Sequence, residues 1–125
     1  MLTQDVINAF HLMWDNYPEF AILLHKDKII ISVNKEGEKL GLVVGAKCES
    51  CLPAEVHLGC KVGEVIKMHR WAYRRRQDEN GGVIHFWVPI DGYDDYLIHF
   101  QVGGSVKFLC PGCQGNGIFN PQEKN

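Results

Sequence analysis

Residues 17–41 read YPEFAILLHKDKIIISVNKEGEKLG. Two short apolar segments, residues 20–25 and 28–33, flank the pair Lys26-Asp27. Short apolar segments on either side of a two-residue polar link are typical of paired strands with a tight turn between them. The stretch therefore predicts a β-hairpin.

The second segment leads directly into a predicted short helix. Asn34 is the kind of residue that caps a helix, because its side chain accepts a hydrogen bond from the first turn. The helix is expected to run through Leu40, and Gly41 supplies the left-handed residue that ends it. Further on, residues 62–69 place apolar side chains at helical spacing and predict a second short helix.

An amphipathic helix is predicted before the hairpin, over residues 3–17. Thr3 is a suitable cap and Pro18 a suitable stop. Its apolar stripe consists of Val6, Phe10, Met13, Trp14 and Tyr17. A stripe of this kind is typical of a packed face, and it also fits a dimer contact.

The second half of the chain is rich in β-type residues. Strands are predicted over residues 71–76, 83–90 and 96–102, separated by turns that contain glycine and aspartate. The order is helix, two strands, short helices, three strands. This order favours an α+β fold built on an antiparallel sheet.

Composition excludes several classes of protein. With 125 residues, 13 basic and 15 acidic, the chain has the size of one domain and no electrostatic bias toward nucleic acid. No apolar stretch is long enough to cross a membrane and no secretory signal is seen, so a cytoplasmic location is expected. The basic cluster of Arg70 with residues 74–76 is interpreted as a solvated strand or turn.

The ordered elements resemble the PAS domain family of bacterial sensory proteins. The matching residues are Tyr17-Pro18-Glu19-Phe20-Ala21, residues 22–25 and 28–33, Asn34, Leu40-Gly41, Val44-Gly45, and residues 86–91 with 96–102. The resemblance implies a five-stranded antiparallel sheet with helices on one face and an N-terminal amphipathic helix. It divides the chain into a helix (1–18), a PAS-like domain (19–104) and a cysteine-containing tail (105–125).

The same resemblance implies a sensory or regulatory role without catalysis, and a possible small ligand between sheet and helices. No serine-hydrolase, phosphate-loop or zinc-protease motif contradicts this. A homodimer through the N-terminal helix and the outer sheet face is expected, with an unidentified output protein as partner. His85 and His99 fall on predicted strands, where they are expected to face one another or the ligand pocket.

Two Cys-x-x-Cys units predict a metal site. Two residues between cysteines let both thiolates face one ion, and two such units complete a tetrahedral zinc site. The predicted ligands are Cys48, Cys51, Cys110 and Cys113, with Cys60 as a buried thiol. In a PAS-like sheet the last strand lies beside the first, which is expected to bring the tail near the first unit.

Alternatives to this zinc site stay open. Cys48, Cys51 and Cys60 with His57 form a local Cys₃His set, which would leave Cys110 and Cys113 as a thiol–disulfide redox pair. An iron–sulfur cluster or unliganded reduced thiols are the other possibilities. The tail sequence Cys110-Pro111-Gly112-Cys113-Gln114-Gly115-Asn116-Gly117 resembles one element of the zinc region of J-domain chaperones.

Overall fold

Five antiparallel strands form one sheet in the order β2-β1-β5-β4-β3. The computed structural model describes residues 2–51, 60–78 and 81–103. The strands are β1 (Ala21–His25), β2 (Ile30–Val33), β3 (Ala72–Asp78), β4 (Gly81–Pro89) and β5 (Tyr96–Val102). The helices are α1 (Gln4–Trp14), α2 (Lys35–Lys39), α3 (Cys48–Cys51) and α4 (Val62–Met68). The predicted fold class, an α+β protein with a five-stranded antiparallel sheet, is confirmed.

Strand alternation gives the sheet two different faces. Ile22 and Leu24 point to one face, where they pack with Trp87, Leu97 and the α4 residue Val65. We call this the inner face. On the opposite, outer face, Ala21 and Leu23 lie under Phe10 of α1. The main core therefore lies between the sheet and the short helices, and α1 makes a smaller second core.

The hairpin and the first short helix form where the local sequence predicts them. The turn between β1 and β2 places Lys28 at a φ of 73°. Asn34 caps α2, since its side-chain oxygen accepts a hydrogen bond from the Gly37 backbone N–H. Gly41 follows α2 at a φ of 92°, a conformation that glycine adopts at little cost.

The first helix differs from its prediction in two ways. It ends at Trp14 instead of Tyr17, because Tyr17 turns away and its hydroxyl donates a hydrogen bond to the Gln101 carbonyl. Met13, predicted to belong to the buried stripe, is 73% exposed. The helix therefore contacts the sheet through a narrower face, centred on Phe10.

Two further boundaries differ. The hairpin of β3 and β4 is longer than predicted, because pairing continues to Asp78 and Gly81. The helix predicted over residues 62–69 is α4, which ends at Met68. His69 follows as its C-cap, in the left-handed conformation with a φ of 51°, and is exposed. Within the described ranges, no helix has the length and apolar character needed to span a bilayer.

Candidate functional site

Two histidines face each other inside the protein, on neighbouring strands of the inner face. His85 on β4 and His99 on β5 are both buried, and His85 Nδ1 lies 3.2 Å from His99 Nε2. One imidazole therefore donates a hydrogen bond to the other. The Trp87 ring stacks on His99 with ring centroids 4.6 Å apart. The prediction that the two histidines face one another is confirmed.

Two arginines of β3 share this face. Arg74 pairs directly with His85 across the strands, and Arg76 lies two residues further along the same face. Burial, reinforced by Arg76 and then Arg74, lowers the pKa of His85 to about 4. The imidazole is therefore neutral near pH 7.

This placement corrects the interpretation of the basic cluster as a solvated surface. Arg74 and Arg76 are only partly exposed and lie on the inner face, whereas Arg70 and Arg75, which alternates to the outer face, are exposed. Three strand residues in sequence show alternation but not which of them face the core. The pairing of Arg74 with buried His85 decides this, and that pairing depends on the register between strands.

Three buried nitrogen atoms on this face have no hydrogen-bond partner within the described part of the chain. They are Arg76 Nε, His85 Nε2 and Trp87 Nε1. Buried polar groups in folded proteins are nearly always hydrogen-bonded, so each such atom requires an explanation. We call these three side chains the inner-face donor group.

A fully buried amide connects the site to α1. The Oδ1 atom of Asn34 accepts hydrogen bonds from the backbone N–H groups of Ala21 and Gly37, both at 2.9 Å. Its Nδ2 group donates to the backbone carbonyls of Trp14, at 3.0 Å, and Glu19, at 2.8 Å. One side chain therefore joins the end of α1, the start of β1 and the start of α2.

A buried carboxylate holds the end of β5. Glu19 accepts hydrogen bonds from the side chain of Gln101, at 2.8 Å, and from the backbone N–H of Gly103, at 2.6 Å. Gln101 pairs with His85 across the strands, so this contact lies next to the histidine pair. Burial and the nearby Glu19 also raise the pKa of Tyr17, which bonds the Gln101 carbonyl, to about 12. The sequence alone indicates no structural role for Glu19 or Gln101, because their hydrogen-bond partners lie more than 80 residues away.

The predicted metal ligands are only partly within the described residues. Cys48 is buried at the start of α3, and Cys51 and Cys60 pack against the same core. Burial, followed by the neighbouring Cys60, raises the pKa of Cys48 to about 11. No group of three or more His, Cys, Asp or Glu side chains in residues 2–51, 60–78 and 81–103 is arranged to hold a metal ion. Cys110, Cys113 and the alternate ligand His57 lie outside those ranges.

The premise that the last strand lies beside the first is confirmed, but Cys48 lies at the end of these strands opposite to the point where the chain leaves β5. Cys48 lies at the β2 start, where its backbone N–H bonds the Lys28 carbonyl. The chain leaves β5 at Gly103, beside Glu19 and therefore at the opposite end of β1. The seven residues of β5 span about 20 Å. A site that combines Cys48 with Cys110 requires residues 104–109 to run back over this distance.

Comparison with solved structures shows which fold this is. The PAS domain of BvgS from Bordetella pertussis superposes with a TM-score of 0.56 at 16% identity, over 78% of this chain and 83% of that one. A sensory box sensor histidine kinase from Vibrio cholerae gives 0.55 at 14%, over 80% and 93%. The photoactive yellow protein domain of the sensor histidine kinase Ppr from Rhodospirillum centenum gives 0.54 at 14%, over 82% and 100%.

No protein-family model matches the chain, and no curated protein matches it either. At identities near 15% the structural likeness establishes the fold, which is that of PAS domains. The fold does not establish the function, because one fold carries many different sites.

Proposed function

We propose that this protein is a non-catalytic sensory or regulatory module that detects a ligand at the inner face of its sheet and signals through contacts with another protein. The observation that carries the proposal is the continuity between the buried polar groups and the chain segments beside them. His85 pairs with Gln101, and Gln101 is held by Glu19, whose backbone carbonyl is bound by Asn34. A ligand that alters the histidine pair therefore acts on contacts that position α1 and the end of β5.

Amide hydrogen exchange during a ligand screen tests this proposal. Compounds that raise the melting temperature are expected to change exchange at the Gly103 amide and at the C-terminal turn of α1. In a Glu19→Gln variant, binding is expected to persist while the change at Gly103 is lost, because the neutral side chain is a weaker acceptor for that N–H. A library without any stabilising compound, or ligands that bind without altering either segment, would contradict the proposal.

The finer part of the proposal is a zinc site formed by Cys48, Cys51, Cys110 and Cys113. Its support is the spacing of the two Cys-x-x-Cys units and the packing of Cys60 against the core, which suits a thiol outside the site. Oxidation of such thiolates, with loss of the metal, would give the module a redox-dependent signal.

Two alternatives are distinguished by chemistry. A thiol–disulfide redox protein would use Cys110 and Cys113, and an iron–sulfur sensor would use four of the thiolates. Reduction of insulin disulfides measures the first, and iron with acid-labile sulfide measures the second. Both remain predictions from the sequence.

A further inference from the structure

We propose that the inner-face donor group, Arg76 with His85 and Trp87, binds a small organic carboxylate. The inference rests on the proposed sensory function and names the class of ligand for that site. The rings of His85 and Trp87 stack with centroids 6.1 Å apart, and these residues are 0% and 1% exposed. Arg76 lies on the adjacent strand, on the same face, two residues beyond the position opposite His85.

The chemistry of the three nitrogen atoms indicates which kind of ligand can bind them. The indole N–H of Trp87 and the guanidinium Nε–H of Arg76 can only donate, so whatever satisfies them must accept. The neutral His85 ring can present Nε2 as a further donor when its Nδ1 accepts from His99. A set of buried donors that includes a permanent positive charge is suited to an anion.

The planar shape of the arginine guanidinium and the aromatic ring beside the donors favour a carboxylate. A guanidinium presents its N–H groups as a planar fork that matches the two oxygens of a carboxylate. Phe20 packs its ring against His85 and His99, so an aromatic wall lies beside the donors. This wall suits the apolar body of an organic acid. The nearby carboxylate of Glu19 already accepts from Gln101 and Gly103.

Nuclear magnetic resonance of the three indole N–H groups provides a direct test on the full chain. Acetate and benzoate are titrated at constant ionic strength, with acetamide and benzamide as neutral counterparts and inorganic phosphate as a second anion. A carboxylate is expected to shift the Trp87 indole resonance, and the matching amide is not. Trp71, which is 61% exposed, serves as an internal control, and its indole resonance is expected not to shift.

Two variants in β3 provide a second test and its matched control. Arg76→Gln is expected to weaken carboxylate binding roughly tenfold or more, since a hydrogen bond to a charged group is lost. Arg75→Gln, one residue away on the outer face, is expected to leave binding within about twofold, because an exposed charge contributes little. Arg76→Lys keeps the charge without the fork and serves if Arg76→Gln does not fold.

Several results would overturn the inference. One is an unmoved Trp87 indole at roughly 10 mM carboxylate, where a Kd of 1 mM gives about 90% saturation. Another is equal loss of binding in the Arg75 and Arg76 variants, and a third is binding of phosphate alone. If neutral compounds move the Trp87 indole and the Gly103 amide while carboxylates do not, the ligand class is wrong and the proposed sensory function stands.

Discussion

At the scale of single residues, the side chain of Asn34 makes four hydrogen bonds to backbone groups of neighbouring elements. Its amide satisfies two N–H groups and two carbonyls that belong to three different elements. Without the amide, the N–H groups of Ala21 and Gly37 and the carbonyl of Glu19 would lose this hydrogen bond, whereas the Trp14 carbonyl would still accept from the Tyr17 N–H. A buried polar group left without a hydrogen bond costs about 1–3 kcal/mol.

Asn34→Ala is therefore expected to lower the free energy of unfolding by on the order of 3 kcal/mol or more, a large share of the total for a domain of this size. Urea unfolding measures the loss. Asn16→Ala is the matched control, because Asn16 is exposed and its side chain accepts a hydrogen bond from the Lys35 amine at 3.5 Å. Equal midpoints for the two variants would show that the four bonds contribute nothing to stability.

The low pKa of His85 makes folding dependent on pH. Burial, with Arg76 and Arg74 close by, lowers this pKa from 6.5 to about 4. Between these values the unfolded chain takes up a proton that the folded protein does not, so acid favours unfolding. The stabilisation is fully present above pH 6.5 and is lost as the pH falls toward 4.

The expected loss between pH 7 and 4.5 is about 2.5 kcal/mol from this one side chain. Urea unfolding at both pH values measures it. His85→Gln removes the titrating ring and is expected to reduce the pH dependence by that amount. The same dependence in His85→Gln as in the wild type would contradict the assignment.

At the scale of elements, local signals decided what the sequence could predict. The hairpin, the Asn34 cap and the Gly41 stop were predicted correctly, because each depends on residues within a few positions of one another. The end of α1 was not, because the contact of Tyr17 with Gln101 crosses 84 residues. The buried donors on β3 and β4 likewise depend on strand register, which no single segment specifies.

The position of the first cysteine unit illustrates the same limit. From the sequence, this unit is expected near the point where the chain leaves the last strand. In the structure the loop after α2 returns along β2, with Gly45 and Ala46 both hydrogen-bonded to Ile30. This return carries Cys48 to the far end of the strand. The path of this loop depends on hydrogen bonds between separate elements of the fold, which the local sequence does not indicate.

The zinc site is tested by the metal content of cysteine variants. With ligands from both units, Cys113→Ser is expected to lose a zinc ion that the wild type holds at about one per chain, since three protein ligands do not close a structural site. Cys60→Ser is the control and is expected to keep the metal. Elemental analysis of protein purified without oxygen measures both.

Each other result identifies an alternative. Loss of zinc in Cys60→Ser with retention in Cys113→Ser would show the local set of Cys48, Cys51, His57 and Cys60. Iron with sulfide would show a cluster. A metal-free wild type would leave reduced thiols, and Cys48, with its raised pKa, is then expected to alkylate slowly.

At the scale of the whole molecule, the outer face of the sheet is only partly covered. Phe10 of α1 lies over β1, and aromatic rings continue from the helix toward β3 without a covering element among the described residues. The contacts run from Trp14 to Phe100, at 4.9 Å between ring centroids, then to Phe86, at 5.2 Å, and to Tyr73, at 6.4 Å. We call this row the outer aromatic strip. Tyr73 is 54% exposed at its open end.

The exposed side of α1 is apolar as well, with Leu12 87% and Met13 73% exposed. In a two-fold dimer, a contact between two different patches occurs twice, so the helix of each copy can lie on the outer aromatic strip of the other. The homodimer stays a prediction from the sequence, and these two patches are its candidate contact surfaces, since apolar surface of this kind commonly marks an interaction site.

In the predicted dimer, Tyr73→Glu is expected to favour the monomer, because it places a charge at the exposed end of the outer aromatic strip. Light scattering coupled to size exclusion, over a range of protein concentrations, measures the mass. Val44→Glu introduces the same charge at an exposed apolar residue in the loop after α2 and is expected to leave the dimer intact. A wild type that is monomeric throughout would contradict the predicted dimer. A dimer that Val44→Glu dissociates and Tyr73→Glu does not would place the assembly surface away from the outer face.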